Sequence, residues 1–274
     1  MSEIVKKITE DRLLKLKECL MEAHYKIACI GNTNSDAFQS YCKSIRRIAE
    51  QVSVEVELFH AENDLNKIGQ LIQTANIDPN IQGILLEQPM KFCSPLESQN
   101  LMDQIDSFKD IDILTRNHKS DIAQNVKPHL LTAVTQAIFI LMDAANIDLQ
   151  GKKVVVIGRG SVGKIVADEC LNRNASISII HSKTLPEDQE IYLKMADVVI
   201  SAVGIAEKFS LNQLSNPSIP VFDAGTTFKD GKLVGDFVRE SLSSNMYFSN
   251  FGRLTSVCLL ENMHNLQRLK RNGR

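Results

Sequence analysis

No tryptophan occurs among the 274 residues, and aromatic side chains make up only 5% of them. Neither sign of charge is in excess: 31 Lys and Arg stand against 33 Asp and Glu, a net charge of −2. A chain without a basic surplus and poor in aromatics lacks the footprint of a nucleic-acid binder. No apolar run approaches the roughly 18 residues that suggest a membrane span, so no membrane partner is expected. The N-terminus, Met1-Ser2-Glu3-Ile4-Val5-Lys6-Lys7, opens a mixed-charge amphipathic helix rather than a signal peptide. The six cysteines (19, 29, 42, 93, 170 and 258) show no C-x-x-C or other metal spacing. They read as reduced thiols of a cytoplasmic protein with no metal site. No internal repeat or low-complexity segment is present. Apolar content is ordinary, and the length suffices for one large or two modest domains with proper cores.

What is present is organised around Lys152-Lys153-Val154-Val155-Val156-Ile157-Gly158-Arg159-Gly160-Ser161-Val162-Gly163-Lys164. The β-branched run reads as a buried parallel strand. Gly158, Gly160 and Gly163 then give G-x-G-x-x-G, and Ile165–Leu171 follow with helical spacing. In that context the first glycine permits a tight turn and the second lets main chain approach a pyrophosphate. The third lets helix pack close to strand, and the helix N-terminus offers N–H groups to the phosphates. The next strand, Ala175–Ile180, runs into His181-Ser182-Lys183-Thr184, with no carboxylate where one would hold the ribose 2′-hydroxyl of NAD. With Arg159 in the turn, that neutral-to-basic end favours NADP, NAD remaining possible.

Before this unit, short apolar strands at Lys26–Gly31, Val52–Leu58 and Ile81–Leu86 alternate with helices over about Ala37–Gln51 and Asn63–Ala75. That βαβαβ pattern implies a second parallel sheet with right-handed crossovers. Glu97–Ile105 and Leu130–Asn146 read as further helices, Ala196–Gly204 and Ile219–Gly225 as strand regions, and Tyr247-Phe248 as the start of an irregular stretch. The fold class is therefore α/β with two domains: a smaller α/β domain over 1–145, closed by a helix over 255–274, and a Rossmann-type NAD(P) domain over 146–254. A cleft between them would be the natural ligand site.

Several stretches, in this order, resemble the bifunctional methylenetetrahydrofolate dehydrogenase/cyclohydrolase family. They are Gly83–Pro89, Lys109-Asp110-Ile111-Asp112, Val156–Arg159, His181–Thr184, Ala196-Asp197 with Ala202-Val203-Gly204, Asp230–Asp236, and Gly252 with Thr255. The resemblance implies a folate domain facing an NADP or NAD domain, a tetrahydrofolate derivative as substrate, and a homodimer. The reaction implied is hydride transfer from the methylene bridge to nicotinamide, followed by hydrolysis of the methenyl cation. It assigns Gly158, Arg159, Gly160, Ser161, Val162, Gly163, His181, Ser182, Lys183, Val203 and Gly204 to the cofactor. It assigns Tyr41, Pro89, Asp112, Gly252 and Thr255 to the substrate, and Lys43, Glu87, Gln88 and Asp112 to catalysis.

The folate half departs from the family pattern. The family's Tyr-x-x-x-Lys falls on Gln39 and Lys43 in one register and on Tyr41 and Ile45 in the other, and no register keeps both residues. The family's strand end, Gln-Leu-Pro-Leu-Pro, stands here as Glu87-Gln88-Pro89-Met90-Lys91, so an amide is replaced by Glu87 or has moved to Gln88. An ion pair between Glu87 and Lys43 would favour charged lysine and oppose a base role. Asp112 takes the place of the pterin anchor, a carboxylate that accepts paired N–H groups. The glycine that follows it in the family is Ile113 here, so the loop is expected not to adopt a glycine-type conformation at that point. His129, in place of a cysteine, reads as a capping or surface histidine or as a polar group facing the ligand. Dehydrogenase activity with weakened or absent cyclohydrolase activity follows as the leading expectation. The alternatives are a catalytically inactive dinucleotide-binding module and a two-domain dehydrogenase of the shikimate dehydrogenase type.

Overall fold

Two apolar strands, one in each half of the chain, each become the inner strand around which a parallel sheet is laid. The computed structural model describes residues 2–21, 24–216, 218–229, 232–238 and 246–273. By contact the chain divides into two compact units, one formed by Met1–Ile8 with Val134–Gly252, the other by Thr9–Ala133 with Arg253–Arg274.

Helix α1 (Ser2–Leu20) leads to strand β1 (Tyr25–Gly31), whose residues are almost all buried. Helix α2 (Asp36–Ala49) crosses to β2 (Val54–His60), and α3 (Leu65–Ile77) crosses to β3 (Gly83–Leu86). All three strands are parallel in the order β2-β1-β3. The helix starts are written in the sequence. Ser35 accepts the Phe38 N–H at α2, and Asp64 accepts those of Asn66 and Lys67 at α3. Helix α4 (Pro95–Met102) opens with proline in its first turn and a reciprocal Ser94/Glu97 capping box. Helix α5 (Arg116–Ala123) follows. Ile30, Ile68, Ile72, Ile84, Leu86 and Leu101 are among the residues that meet in the core on one face of the sheet.

Lys109 explains part of the Lys-Asp-Ile-Asp motif. It is buried and donates to the carbonyls of Ala75, Asn76 and Asp78 at 2.7–2.8 Å, satisfying the C-terminal end of α3.

Helix α6 (Ala133–Ala144) precedes β4 (Lys153–Ile157), α7 (Ser161–Asn172), β5 (Ser176–Ile180), α8 (Pro186–Met195) and β6 (Val198–Ser201). Then come β7 (Val221–Asp223), the antiparallel pair β8 (Thr227–Lys229) and β9 (Lys232–Val234), β10 (Tyr247–Phe248) and α9 (Gly252–Arg271). Five strands form one parallel sheet in the order β10-β7-β6-β4-β5. The connection direction reverses between β4 and β6, which makes the carboxyl ends of those strands the switch point where such sheets bind ligands. Helix α9 belongs to the β1 unit. Its Asn262 amide donates to the Ile111 and Leu131 carbonyls, and Gln267 to those of Gln82 and Phe108.

The fold is thus two-domain α/β with parallel sheets, as the periodicity suggests. Helices α5 and α8 are additions. Arg116–Ala123 buries only Ile122 and Pro186–Met195 only Leu193, so neither carries a readable apolar stripe. Tyr247-Phe248, read as irregular, pairs in parallel with β7. No helix among the described residues is long and apolar enough to cross a membrane. Asp230 and Gly231 of the Asp230–Asp236 motif lie outside the described residues.

Candidate functional site

Strand β4 delivers the chain to Gly158, whose φ of +112° strains any L side chain and whose Cβ would stand 2.8 Å from the Ala202 carbonyl oxygen. At Gly163 a Cβ would lie 2.2 Å from the Gly158 carbonyl oxygen, so this glycine lets α7 close on β4. Gly160 is different. Its backbone is extended, with φ −73° and ψ −169°, and a Cβ there would meet nothing within 4 Å. The fold itself requires glycine at 158 and 163 but not at 160, where the main chain lies open to the approach of a ligand. Helix α7 begins at Ser161 without a side-chain cap, leaving the N–H groups of its first turn available to an anion.

A pocket of about 290 Å³ opens at the carboxyl ends of β4, β5 and β6. Of the sequence-assigned cofactor residues, Gly158, Arg159, Gly160, His181, Ser182 and Val203 line it. Ser161, Val162 and Gly163 form the first turn of α7, Lys183 is exposed beside His181, and Gly204 is exposed with φ +67°. Gln189, Ile205, Lys208 and Phe209 also line the pocket and escape the sequence reading, because α8 and the segment after β6 carry no periodic signal. At the end of β5 the Lys183 N–H donates to His181 Nδ1 at 3.2 Å, so the neutral ring carries its proton on Nε2.

Two buried carboxylates hold the far wall. Asp236 accepts from Ser201 Oγ at 2.6 Å and from the Val203 and Ile205 N–H groups at 2.9 Å. Asp223 accepts from the Asp236 and Phe237 N–H groups at 3.1 Å and from the Tyr247 hydroxyl at 2.6 Å. Burial pushes the Asp223 carboxyl above its ordinary value, partly offset by the Tyr247 hydrogen bond. A Cβ at Gly225 would stand 2.1 Å from the Asp236 carboxylate and one at Gly235 2.2 Å from that of Asp223. The spacing Asp223-x-Gly225 with Gly235-Asp236 is therefore the sequence trace of this interlock, and Asp236 fixes the Val203–Ile205 segment of the pocket.

In the other unit α2 presents Phe38, Cys42, Ile45, Ile48 and Ala49 to the core. Ile45 is 1% exposed, whereas Tyr41 is 40% exposed. At 100° per residue Lys43 stands about 200° from Tyr41, on the opposite flank of the helix. It lines an open groove of about 820 Å³ with Arg46, Arg47 and Leu58, from which Tyr41 and Asp112 are absent. Among the described residues Lys43 makes no ion pair with Glu87. Glu87 is half-buried and accepts the Asn32 N–H at 2.6 Å, folding over Gly31, where a Cβ would stand 2.6 Å from its own. Gln88 and Pro89 are exposed at the strand end.

Asp110, fully buried, accepts the Leu114 and Thr115 N–H groups at 2.8 and 2.9 Å and contacts His118 Nδ1 at 2.9 Å. Burial works against its charge, but the His118 and backbone hydrogen bonds outweigh it and hold the carboxyl below the ordinary range. Asp112 behaves oppositely. Burial first, and the Asp110 charge second, push it up to about 7, with Lys119 opposing. Desolvation first, and the charge of Asp112 second, also hold the Tyr41 phenol protonated. Tyr41 and Asp112 are therefore electrostatically linked, while Lys43 stands apart.

Ile113 corrects one expectation. It adopts φ +58°, the left-handed conformation that glycine favours, although it is β-branched. Its side chain is fully buried, and burial worth about 3 kcal/mol outweighs the roughly 1–2 kcal/mol of backbone strain. His129 is half-buried, with Nδ1 3.2 Å from the Val126 carbonyl oxygen and Nε2 3.1 Å from Lys127 Nζ. Gly252 opens α9, and a Cβ there would meet nothing within 4 Å; Thr255 lies in the first turn of that helix.

The switch-point pocket, the glycine turn and the uncapped α7 define a Rossmann-type NAD(P)-binding unit joined to a second α/β unit built on a smaller, three-stranded sheet. The family description "Tetrahydrofolate dehydrogenase/cyclohydrolase, NAD(P)-binding domain" matches residues 132–271, and that of the catalytic domain of the same family matches residues 1–112. The chain belongs to the tetrahydrofolate dehydrogenase/cyclohydrolase family. It is 30% identical to the bifunctional protein FolD of Clostridium tetani, over 94% of this chain and 96% of that one. It also resembles the crystal structure of FolD methylenetetrahydrofolate dehydrogenase/cyclohydrolase from Campylobacter jejuni, with a TM-score of 0.87 at 26% identity, covering 97% and 98% of the two chains. The Trypanosoma brucei enzyme, determined with NADP and an inhibitor, shares the fold with a TM-score of 0.84 at 21% identity, covering 100% and 95%. These relatives are enzymes of both activities.

Proposed function

We propose that this protein is an NADP-dependent methylenetetrahydrofolate dehydrogenase whose methenyltetrahydrofolate cyclohydrolase activity is weakened or lost. The observation that carries the separation of the two activities is Ile45. It occupies the position four residues after Tyr41 and is buried in the core, and Lys43 lies on the other flank of α2. Hydrolysis of a methenyl bridge needs a group that moves a proton to or from water, which isoleucine cannot do. The redox step asks less of side chains, since nicotinamide supplies the hydride acceptor when bound.

In this reading Asp112, as carboxylate, accepts the pterin's paired N–H groups, and Tyr41 lies against the same ligand. Gly160 and the first turn of α7 take the pyrophosphate. Arg159, His181 and Ser182 face the ribose 2′-phosphate, a choice supported by the absence of any carboxylate at the end of β5. We place the enzyme in the cytoplasm as a homodimer, on the resemblance and on six free cysteines.

The test is to supply purified protein with methylenetetrahydrofolate and NADP or NAD, following reduced nicotinamide, and to measure methenyl hydrolysis separately. The expected result is turnover with NADP and accumulation of methenyltetrahydrofolate. Hydrolysis as fast as the redox step would refute the separation. A second reading, a dinucleotide-binding module without catalysis, draws on the same Ile45 and on Glu87 being engaged with Asn32. Calorimetry showing NADP binding without folate binding would favour it.

A further inference from the structure

We propose that Lys208 is a specificity-determining residue for 2′-phosphorylated nucleotides, adding a second fixed cation to the pocket beside Arg159. The inference rests on the pocket being the nucleotide site and goes beyond the glycine turn and the His181-Ser182-Lys183 segment. Lys208 follows β6 and lines the pocket. Its Nζ lies 5.5 Å from the centre of the Phe209 ring, itself a wall of the pocket, so the ammonium stays at the rim. The neighbouring carboxylate does not neutralise it, because Glu207 pairs with Lys229. Among the described residues neither Lys208 nor Arg159 has an ion-pair partner, and the pocket is lined by no Asp or Glu.

Charge and shape then divide the labour. Ile157, Ile180, Val203, Ile205 and Phe209 give apolar walls suited to a flat base. Among the described residues, Arg159, Lys208 and His181 supply the only ionisable groups on them. A cavity of about 290 Å³ is only some 7 Å across as an equivalent cube. Both side chains line this cavity, and salt screens charges mainly beyond about one Debye length, roughly 8 Å at physiological ionic strength, so a phosphate held beside them is attracted by both. A monoester phosphate carries nearly two negative charges at neutral pH, so it gains far more from the second cation than a neutral ribose hydroxyl does.

The experiment titrates 2′,5′-ADP and 5′-AMP into wild type, Lys208→Gln, Lys208→Glu and Arg159→Ala by calorimetry at low and high salt. Lys208 is exposed, so its variants leave the fold intact. The expected result is that Lys208→Gln weakens 2′,5′-ADP about 5- to 20-fold and 5′-AMP by less than about 2-fold, with Lys208→Glu larger and both losses shrinking at high salt. Equal effects on the two nucleotides, or none on 2′,5′-ADP that wild type binds, overturn the role of Lys208 alone. If wild type binds neither nucleotide, the reading of the pocket falls, and this role falls with it.

Discussion

Gly160→Ala separates the ligand's demand from the fold's, because the two other glycines of the turn serve as internal controls. At Gly160 the backbone is extended, which alanine accepts, and the new methyl meets nothing within 4 Å. Alanine at a helix N-cap costs up to about 1 kcal/mol relative to glycine, while the stiffer unfolded chain returns about 0.4–1 kcal/mol. The variant is therefore expected to melt within a few degrees of wild type. At Gly163 the methyl would sit 2.2 Å from the Gly158 carbonyl oxygen, so β4 and α7 must part by about 1 Å. That is overpacking against main chain, worth about 3 kcal/mol. For a chain of this size it lowers the melting temperature by about 6–12 °C. Binding should respond otherwise. A methyl at 160 stands where the pyrophosphate must approach, and the expected loss of NADP affinity is about 30- to 100-fold, or about 2–3 kcal/mol. Calorimetric titration of NADP, beside thermal unfolding of both variants without ligand, reads the two effects separately. A Gly160→Ala protein that binds NADP as wild type does would refute the reasoning, since the phosphates would then not touch this turn.

Asp112 gives a pH prediction. Its carboxyl, raised from 3.8 to about 7, keeps a proton in the native state that the unfolded chain releases, so its contribution to stability falls as pH rises through that window. Asp112→Asn should flatten that fall and stabilise the protein by about 1–2 kcal/mol at pH 8, after discounting for solvent screening, in urea titrations. Folate affinity in wild type should strengthen as pH rises past about 7, because only the carboxylate accepts pterin N–H groups, and an unchanged affinity between pH 6 and 8 would count against the anchor. Asp236→Asn turns an acceptor of three hydrogen bonds into a group that opposes one of them, at a cost of about 2–4 kcal/mol and with weaker NADP binding. An unaltered urea midpoint would contradict that. Ile113→Gly should destabilise by about 1–2 kcal/mol, because lost burial exceeds relieved strain, and a gain in stability would show that strain outweighs burial at this position.

How much of this was legible in the sequence depends on whether a residue's reason is local. The glycine turn was readable because Gly158 and Gly163 answer to neighbours within a few residues or one strand away. Helix α2 was readable as a helix, yet its function was not, because neither of two registers keeps both the tyrosine and the lysine of the family pattern. The distinction is one of direction: Ile45 points into the core and Lys43 to the flank opposite Tyr41, and only the packed helix fixes which flank is which. Ile113 shows the limit of a residue-by-residue rule. The preference of glycine for positive φ was sound, but buried apolar area gathered from distant parts of the chain overrode it. Lys208 and Asp236 are the hardest cases. Lys208 matters through a cavity assembled from three strand ends, and Asp236 through N–H groups more than thirty residues earlier. Lys208 leaves no period or motif of its own, and Asp236, though it closes the Asp230–Asp236 motif, gives no sign there of what it holds. The surviving trace is indirect: glycines at 225 and 235 that only a buried carboxylate beside each one explains. Sequence therefore reports this site best where the main chain is crowded, and least where a side chain acts across the sheet.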